Sequence, residues 1–135
     1  MLNWSIHGFW DFSVSGVVIY LLIVTHITIV SVTVYLHRFS AHRSLLLNAP
    51  ISHFFRFWLW LTTGQGTRDW TAIHRKHHAE CETTEDPHSP VKQGLGTILW
   101  RGVEAYKLAI ADQETVRRYG RGCPDDWLEK NFGAL

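Results

Sequence analysis

Residues Val14 to Leu36 read VSGVVIYLLIVTHITIVSVTVYL, a run of 23 positions without Asp, Glu, Lys or Arg. As an α-helix it extends roughly 35 Å, enough to cross a hydrocarbon layer of about 30 Å. A cleaved leader would carry a positive n-region and a shorter apolar run, but the residues before Val14 offer only Asp11 and no Lys or Arg. The stretch is therefore expected to remain as a transmembrane helix, about 14–36. Cations begin only after it, at Arg38, Arg43, Arg56, Arg68, Arg75 and Lys76. The positive-inside rule then places the N-terminus outside and the following segments in the cytoplasm.

The next apolar stretch, about 45–63, is interrupted by Asn48, Pro50, His53 and Arg56, and FWLWLTT is its longest clean run. That is too short to span, so an interfacial segment is expected, with Phe54, Phe55, Phe57, Trp58 and Trp60 at the headgroup boundary and Arg56 snorkelling outward. Beyond Gly64 and Gly66 a helix should run from about Asp69 through residue 78. EDPHSP, Glu85 to Pro90, reads as a turn. Between Leu95 and Ala111, the spacing of Leu99, Val103, Tyr106 and Ile110 predicts an amphipathic helix lying on a surface. The fold class is thus an all-α membrane protein, with one transmembrane helix plus interfacial and cytoplasmic helices.

The whole chain, 135 residues with a net charge of +1, fits one domain and lacks the basic surface of a nucleic-acid binder. Cys81 and Cys123 match no paired spacing and read as reduced thiols. The unusual residue is histidine: nine in all, five of them in two short clusters, His37-Arg-Phe-Ser-Ala-His42 and His74-Arg-Lys-His77-His78. On a helix, positions i, i+3 and i+4 span an arc of roughly 100°, so His74, His77 and His78 should face one point. His37 and His42 fall about 140° apart on an ideal α-helix. They converge only if the helix ends or unwinds near Ser40, and otherwise serve different metals.

An all-imidazole donor set suits zinc, copper, nickel or iron. There is no HExxH for a metalloprotease, and a triple cluster exceeds what haem ligation needs. Many imidazoles at a membrane face best suit non-haem iron that activates oxygen against a lipid.

HRFSAHRS, His37 to Ser44, and HRKHH, His74 to His78, followed by Glu85-Asp86-Pro87-His88, together resemble the first two histidine boxes of the membrane fatty-acyl desaturases of the acyl-CoA, delta-9 type. The resemblance covers about residues 14–100. It implies two iron ions as cofactors, molecular oxygen as co-substrate, and a cis double bond introduced into a saturated acyl chain carried by coenzyme A or a lipid. It also implies an electron donor such as ferredoxin with its reductase. His37, His42, His74, His77 and His78 become the expected metal ligands. The family's third box, of HxxHH type, and its later membrane helices are not found in these residues, so the fold is incomplete relative to the family. The chain 1–135 is expected to be the N-terminal part of a single desaturase domain, inactive alone. A related diiron membrane hydroxylase and a non-catalytic metal-binding membrane fragment are the alternative readings.

Other residues follow from place. Trp70, one turn before His74, resembles a family Trp that helps shape the acyl tunnel, with core or interface packing as the competing reading. Arg75 and Lys76 are expected to meet phosphates of coenzyme A or lipid, or to set topology. Asp69, Glu80, Glu82, Glu85 and Asp86 are candidate hydrogen-bond acceptors behind the ligands, with Asp86 foremost. His26 is expected to pack on further helices, His7 and His53 to lie at the interface, and His88 to belong to the Pro-flanked turn, with a site role as its alternative.

Overall fold

The computed structural model describes residues 13–132, and among these every regular element is a helix. His7 lies outside them. Helix α1, Val14–Ser31, starts at Ser13, whose Oγ accepts from the Gly16 amide. It passes directly into a π-helical segment, Val32–Ala41. The combined run of 28 residues is long and apolar enough to cross a membrane by length and composition. It reaches five residues past the expected end at Leu36, so His37 lies within it. Thr28 and Ser31 donate back to the Val24 and Ile27 carbonyls at 2.8 and 2.7 Å, contacts that bend helices. The transition also falls in a β-branched run, Ile29, Val30, Val32, Thr33 and Val34, which crowds a tight α turn.

Helix α2, Ala49–Thr63, is one uninterrupted element. Asn48 and Pro50, expected as interruptions, are its start signals: Asn48 Oδ1 accepts from the Ile51 amide and Pro50 sits in the first turn, where its missing N–H costs nothing. Gly64 closes it at φ 65°, a left-handed cap that suits glycine. At 15 residues, about 22 Å, α2 falls short of a full span. It packs on α1, with Trp58 Nε1 donating to Thr28 Oγ1 at 3.0 Å, and leaves Phe54, Phe57 and Leu61 exposed.

Helix α3, Thr67–Ala79, carries the second histidine cluster and begins two residues before Asp69. After the turn around Pro87 come α4, Pro90–Gln93, α5, Leu95–Ala111, α6, Gln113–Tyr119, and α7, Trp127–Phe132. Tyr35, Leu36 and Leu59 form the buried core, with Val32, Phe39, Leu47, Phe55 and Trp70 against it. The core thus joins the π segment, α2 and α3, and α3 packs in turn against α6.

Two expectations are corrected. Arg56 does not snorkel: it is buried and grips α7, donating to both Asp126 oxygens at 2.7 Å and to Glu129 at 3.2 Å. Two acidic side chains within reach outweigh the headgroup layer as a destination. In α5 the predicted single apolar face divides, because the backbone kinks at Arg101. Leu99, before the kink, is exposed, whereas Val103, Tyr106 and Ile110, after it, line a cavity.

Candidate metal centre

The π segment ends on a bond from the His42 amide to the His37 carbonyl at 2.9 Å. Such an i→i+5 bond brings residue i+5 round to stand over residue i. The two rings are therefore 4.5 Å apart between centroids. The helix neither ends nor unwinds at Ser40 to achieve this; it widens. Arg43, at φ 51°, and the bond from the Ser44 amide to the Arg38 carbonyl at 2.8 Å then close the helix in a Schellman-like reversal.

Helix α3 brings two more imidazoles from the other side. His74 and His78, four residues apart, have ring centroids 4.6 Å apart, and His74 is 4.9 Å from His37. The Nε2 atoms of His78 and His74 are 3.1 Å apart, and those of His74 and His42 are 3.4 Å apart. One nitrogen from each of His37, His42, His74 and His78 lies within 4.8 Å of the others. His77 departs from the expected common focus, because adjacent helical residues point about 100° apart and His74 pairs with His78 instead.

His77 faces the turn. Its Nδ1 is 2.7 Å from Asp86 Oδ1, and the buried Asp86 carboxylate also accepts from the His88 and Glu82 amides, both at 2.9 Å. Those hydrogen bonds hold the Asp86 carboxyl below the usual carboxylate range even though burial pushes it up. Asp86, with both oxygens engaged, orients His77 through one nitrogen and leaves Nε2 for a ligand, the role outlined for carboxylates behind metal-bound histidine. The exposed Cys81 also has its sulfur within 4.8 Å of His77 and Asp86 ligand atoms. Glu82 is taken up by Ser89, and Glu80 by Tyr119.

The donor set suits a metal. Burial first, and then the neighbouring imidazoles, push His74 down to about 4, so at neutral pH it keeps the lone pair that metal binding needs. Two nitrogens on one ion can be no more than about 4.2 Å apart at typical metal–nitrogen lengths. The 3.1 and 3.4 Å pairs already satisfy that, and the four ligand atoms together stay within 4.8 Å of one another.

The fatty acid desaturase family model matches residues 13–123. This chain belongs to the fatty acid desaturase family. It is 38% identical over 96 residues to a delta-9 desaturase-like 5 protein of Arabidopsis thaliana, covering 67% of this chain and 29% of the relative. It is 27% identical over 97 residues to an sn-1 stearoyl-lipid 9-desaturase of Synechocystis, covering 72% and 29%. A hex-5-enoyl-[acyl-carrier protein] acetylenase of Moorena producens is 35% identical over 89 residues, covering 64% and 27%. The chain thus spans less than a third of the length of these relatives. No solved structure matches it.

Within this desaturase chain, Trp70 stacks on His74 with centroids 4.6 Å apart and planes inclined 14°. The same indole lines a cavity of about 350 Å³ with Gln65, His88, Val103, Tyr106 and Ile110. Burial holds His88 below its ordinary value, and its ring lies 6.1 Å from His77. The Tyr106 hydroxyl is buried without a hydrogen-bond partner among the described residues, and burial pushes it up. His26 is exposed on α1 beside an apolar groove, and His53 is exposed on α2. Lys76 donates to Thr115 Oγ1 at 3.1 Å. Arg75 donates to four backbone carbonyls, those of Ser40, Ala41, Tyr119 and Arg121.

Beneath the imidazoles lies a contact the sequence reading passed over, a hydrogen bond of 2.7 Å between the Ser40 and Thr71 hydroxyls. Both residues are buried. Thr71 sits three positions before His74, on the same helical face, which is the available signal for it.

Proposed function

We propose that the chain serves oxygen-dependent desaturation of a fatty acyl chain, introducing a cis double bond, at the delta-9 position by resemblance, at a histidine-ligated diiron site. The convergence of His37, His42, His74 and His78 on one small volume carries this reading, together with His77 aimed by Asp86. Iron, when bound, supplies with oxygen and two electrons from an external carrier the oxidising power to remove two hydrogens from adjacent methylenes.

This chain's residues provide the rest. The imidazoles present neutral nitrogens, and Asp86 fixes the orientation of one. Trp70 forms the wall shared by the imidazole cluster and the cavity, which makes the cavity the place for part of the acyl chain and keeps water from the methylenes. Five box imidazoles are too few for two irons at about four ligands each, so the reading requires further ligands from additional polypeptide. The reading further includes acyl-CoA or an acyl lipid as substrate, a ferredoxin-type donor with its reductase, a bilayer spanned by α1, and the boxes on the cytoplasmic side.

The deciding experiment supplies iron, oxygen, reduced ferredoxin and a stearoyl substrate to the protein containing these 135 residues together with the remaining ligands, and reads products by mass spectrometry. A product lacking two hydrogens is expected. A product that gains one oxygen would make the chain part of a hydroxylase, and tight zinc binding without turnover would make it a metal-binding module.

A further inference from the structure

We propose that Arg75 is a positioning residue of the metal centre, whose guanidinium fastens the end of the helix bearing His37 and His42 to the helix bearing His74 and His78. The inference rests on the metal-centre reading above and adds the part that holds its two halves in register.

Arg75 follows His74 and so points away from the imidazole face, toward the junction of three elements. Its Nη2 donates to Ser40 O at 2.8 Å and its Nε to Ala41 O at 3.1 Å. These are the last carbonyls before His42, where a helix runs out of intrahelical donors. Its Nη1 donates to Tyr119 O and Arg121 O, both at 2.9 Å, and Tyr119 ends α6. One planar cation therefore caps two helix C-termini, where the backbone dipoles favour positive charge. A lysine has one nitrogen and no fork, so it cannot span both carbonyl pairs.

The receiving turn is shaped for this arrangement. Arg43 Nη2 also donates to Arg121 O, at 3.1 Å, so the arginines that follow His42 and His74 meet on one carbonyl. Gly122, at φ 75°, lies under Arg43, and a Cβ there would overlap the Arg43 guanidinium. The Ser40–Thr71 hydrogen bond continues the seam between the π segment and α3. Binding a phosphate through Arg75 would strip carbonyls from this junction, which places anion recognition on other cations.

The test uses the 135-residue chain in detergent with cobalt(II) as the probe, comparing Arg75→Gln and Arg75→Lys with the exposed-site control Arg117→Gln. Loss of an outer-shell partner typically weakens metal affinity about 10–100-fold. That loss, with a changed cobalt ligand-field spectrum, is expected for both Arg75 variants and not for the control. In the metal-free chain, hydrogen exchange at the His42 and Ser44 amides should rise at least about tenfold while the amides of α1 stay unchanged. Cobalt affinity, spectrum and exchange all matching the unsubstituted chain would overturn the proposal. Faster exchange throughout every helix would overturn it as well, by assigning Arg75 to global stability. If the unsubstituted chain binds no cobalt, the cluster depends on the further ligands that the metal-centre reading already requires, and the exchange result alone decides whether Arg75 fastens the two segments.

Discussion

His42 stands directly over His37, its amide bonded to the His37 carbonyl at 2.9 Å and its ring centroid 4.5 Å away. They are five positions apart, a spacing that an α-helix scatters and a π-helix aligns. The widened turn is thus the device that lets one continuous helix present both first-box imidazoles to α3, without a break in the helix that carries the membrane-span candidate.

Inserting one alanine between Phe39 and Ser40 should destroy that alignment. The spacing becomes six, which neither helix type stacks, and the Ser40–Thr71 bond shifts out of register. Cobalt titration monitored by absorption should show the four-imidazole spectrum lost and affinity reduced by at least about tenfold, with circular dichroism nearly unchanged. An unaltered spectrum would mean that the π segment is incidental to the cluster.

Asp86→Asn should weaken metal binding through His77 by about 10–100-fold, because the imidazole loses a charged acceptor that sets its tautomer and orientation. Asp86→Ala should in addition destabilise the turn by about 1–3 kcal/mol, since the Glu82 and His88 amides lose their acceptor. Nitrogen-resolved NMR of His77 reads the first effect and thermal melting the second. A His77 tautomer identical in all three proteins would remove Asp86 from this role.

The transmembrane candidate, both histidine clusters and the family were legible in the sequence, because each rests on a local pattern: an uncharged run, or imidazoles a few positions apart. The pairing of His37 with His42 was not, since an ideal α-helix was the frame and the switch to π geometry arises from back-bonding by Thr28 and Ser31 within a β-branched run. Arg56 was misplaced for a different reason. Its partners Asp126 and Glu129 lie some seventy positions away, and no local pattern announces a pair at that separation. The kink at Arg101 likewise split a face that periodicity alone had joined.

Acid should loosen the attachment of α7. Arg56, through the hydrogen bonds it donates, holds Asp126 well below the usual carboxylate range. A depressed folded-state value means that the stabilisation is complete above the ordinary carboxylate value, about 4, and is lost as pH falls below it toward the folded one. Glu129 and His53 also face this carboxylate, so Asp126→Asn is the comparison that isolates it. Melting temperature should fall between about pH 5 and pH 3 more steeply in the unsubstituted chain than in the variant. Because the Asp126 side chain is 45% exposed, Arg56→Ala should cost toward the lower end of about 1–3 kcal/mol. Parallel pH profiles for the two proteins would show that the pair contributes little.

Tyr106→Phe should leave the protein as stable as before or raise its stability by about 1 kcal/mol. The Tyr106 hydroxyl is buried without a partner among the described residues, and an unsatisfied polar group is a cost that phenylalanine removes while preserving the ring against Ile110 and the cavity wall. The same substitution makes the cavity beside Trp70 uniformly more apolar, which should favour a bound alkyl chain. Thermal melting with and without a saturated fatty-acyl ligand separates the two effects: the free protein gains little, and the ligand-induced rise in melting temperature becomes larger in the variant. A drop in the stability of the free protein would instead assign the hydroxyl a hydrogen bond to water within the cavity. The space would then be wet at this end, and the acyl chain would have to approach His74 from the opposite side of Trp70.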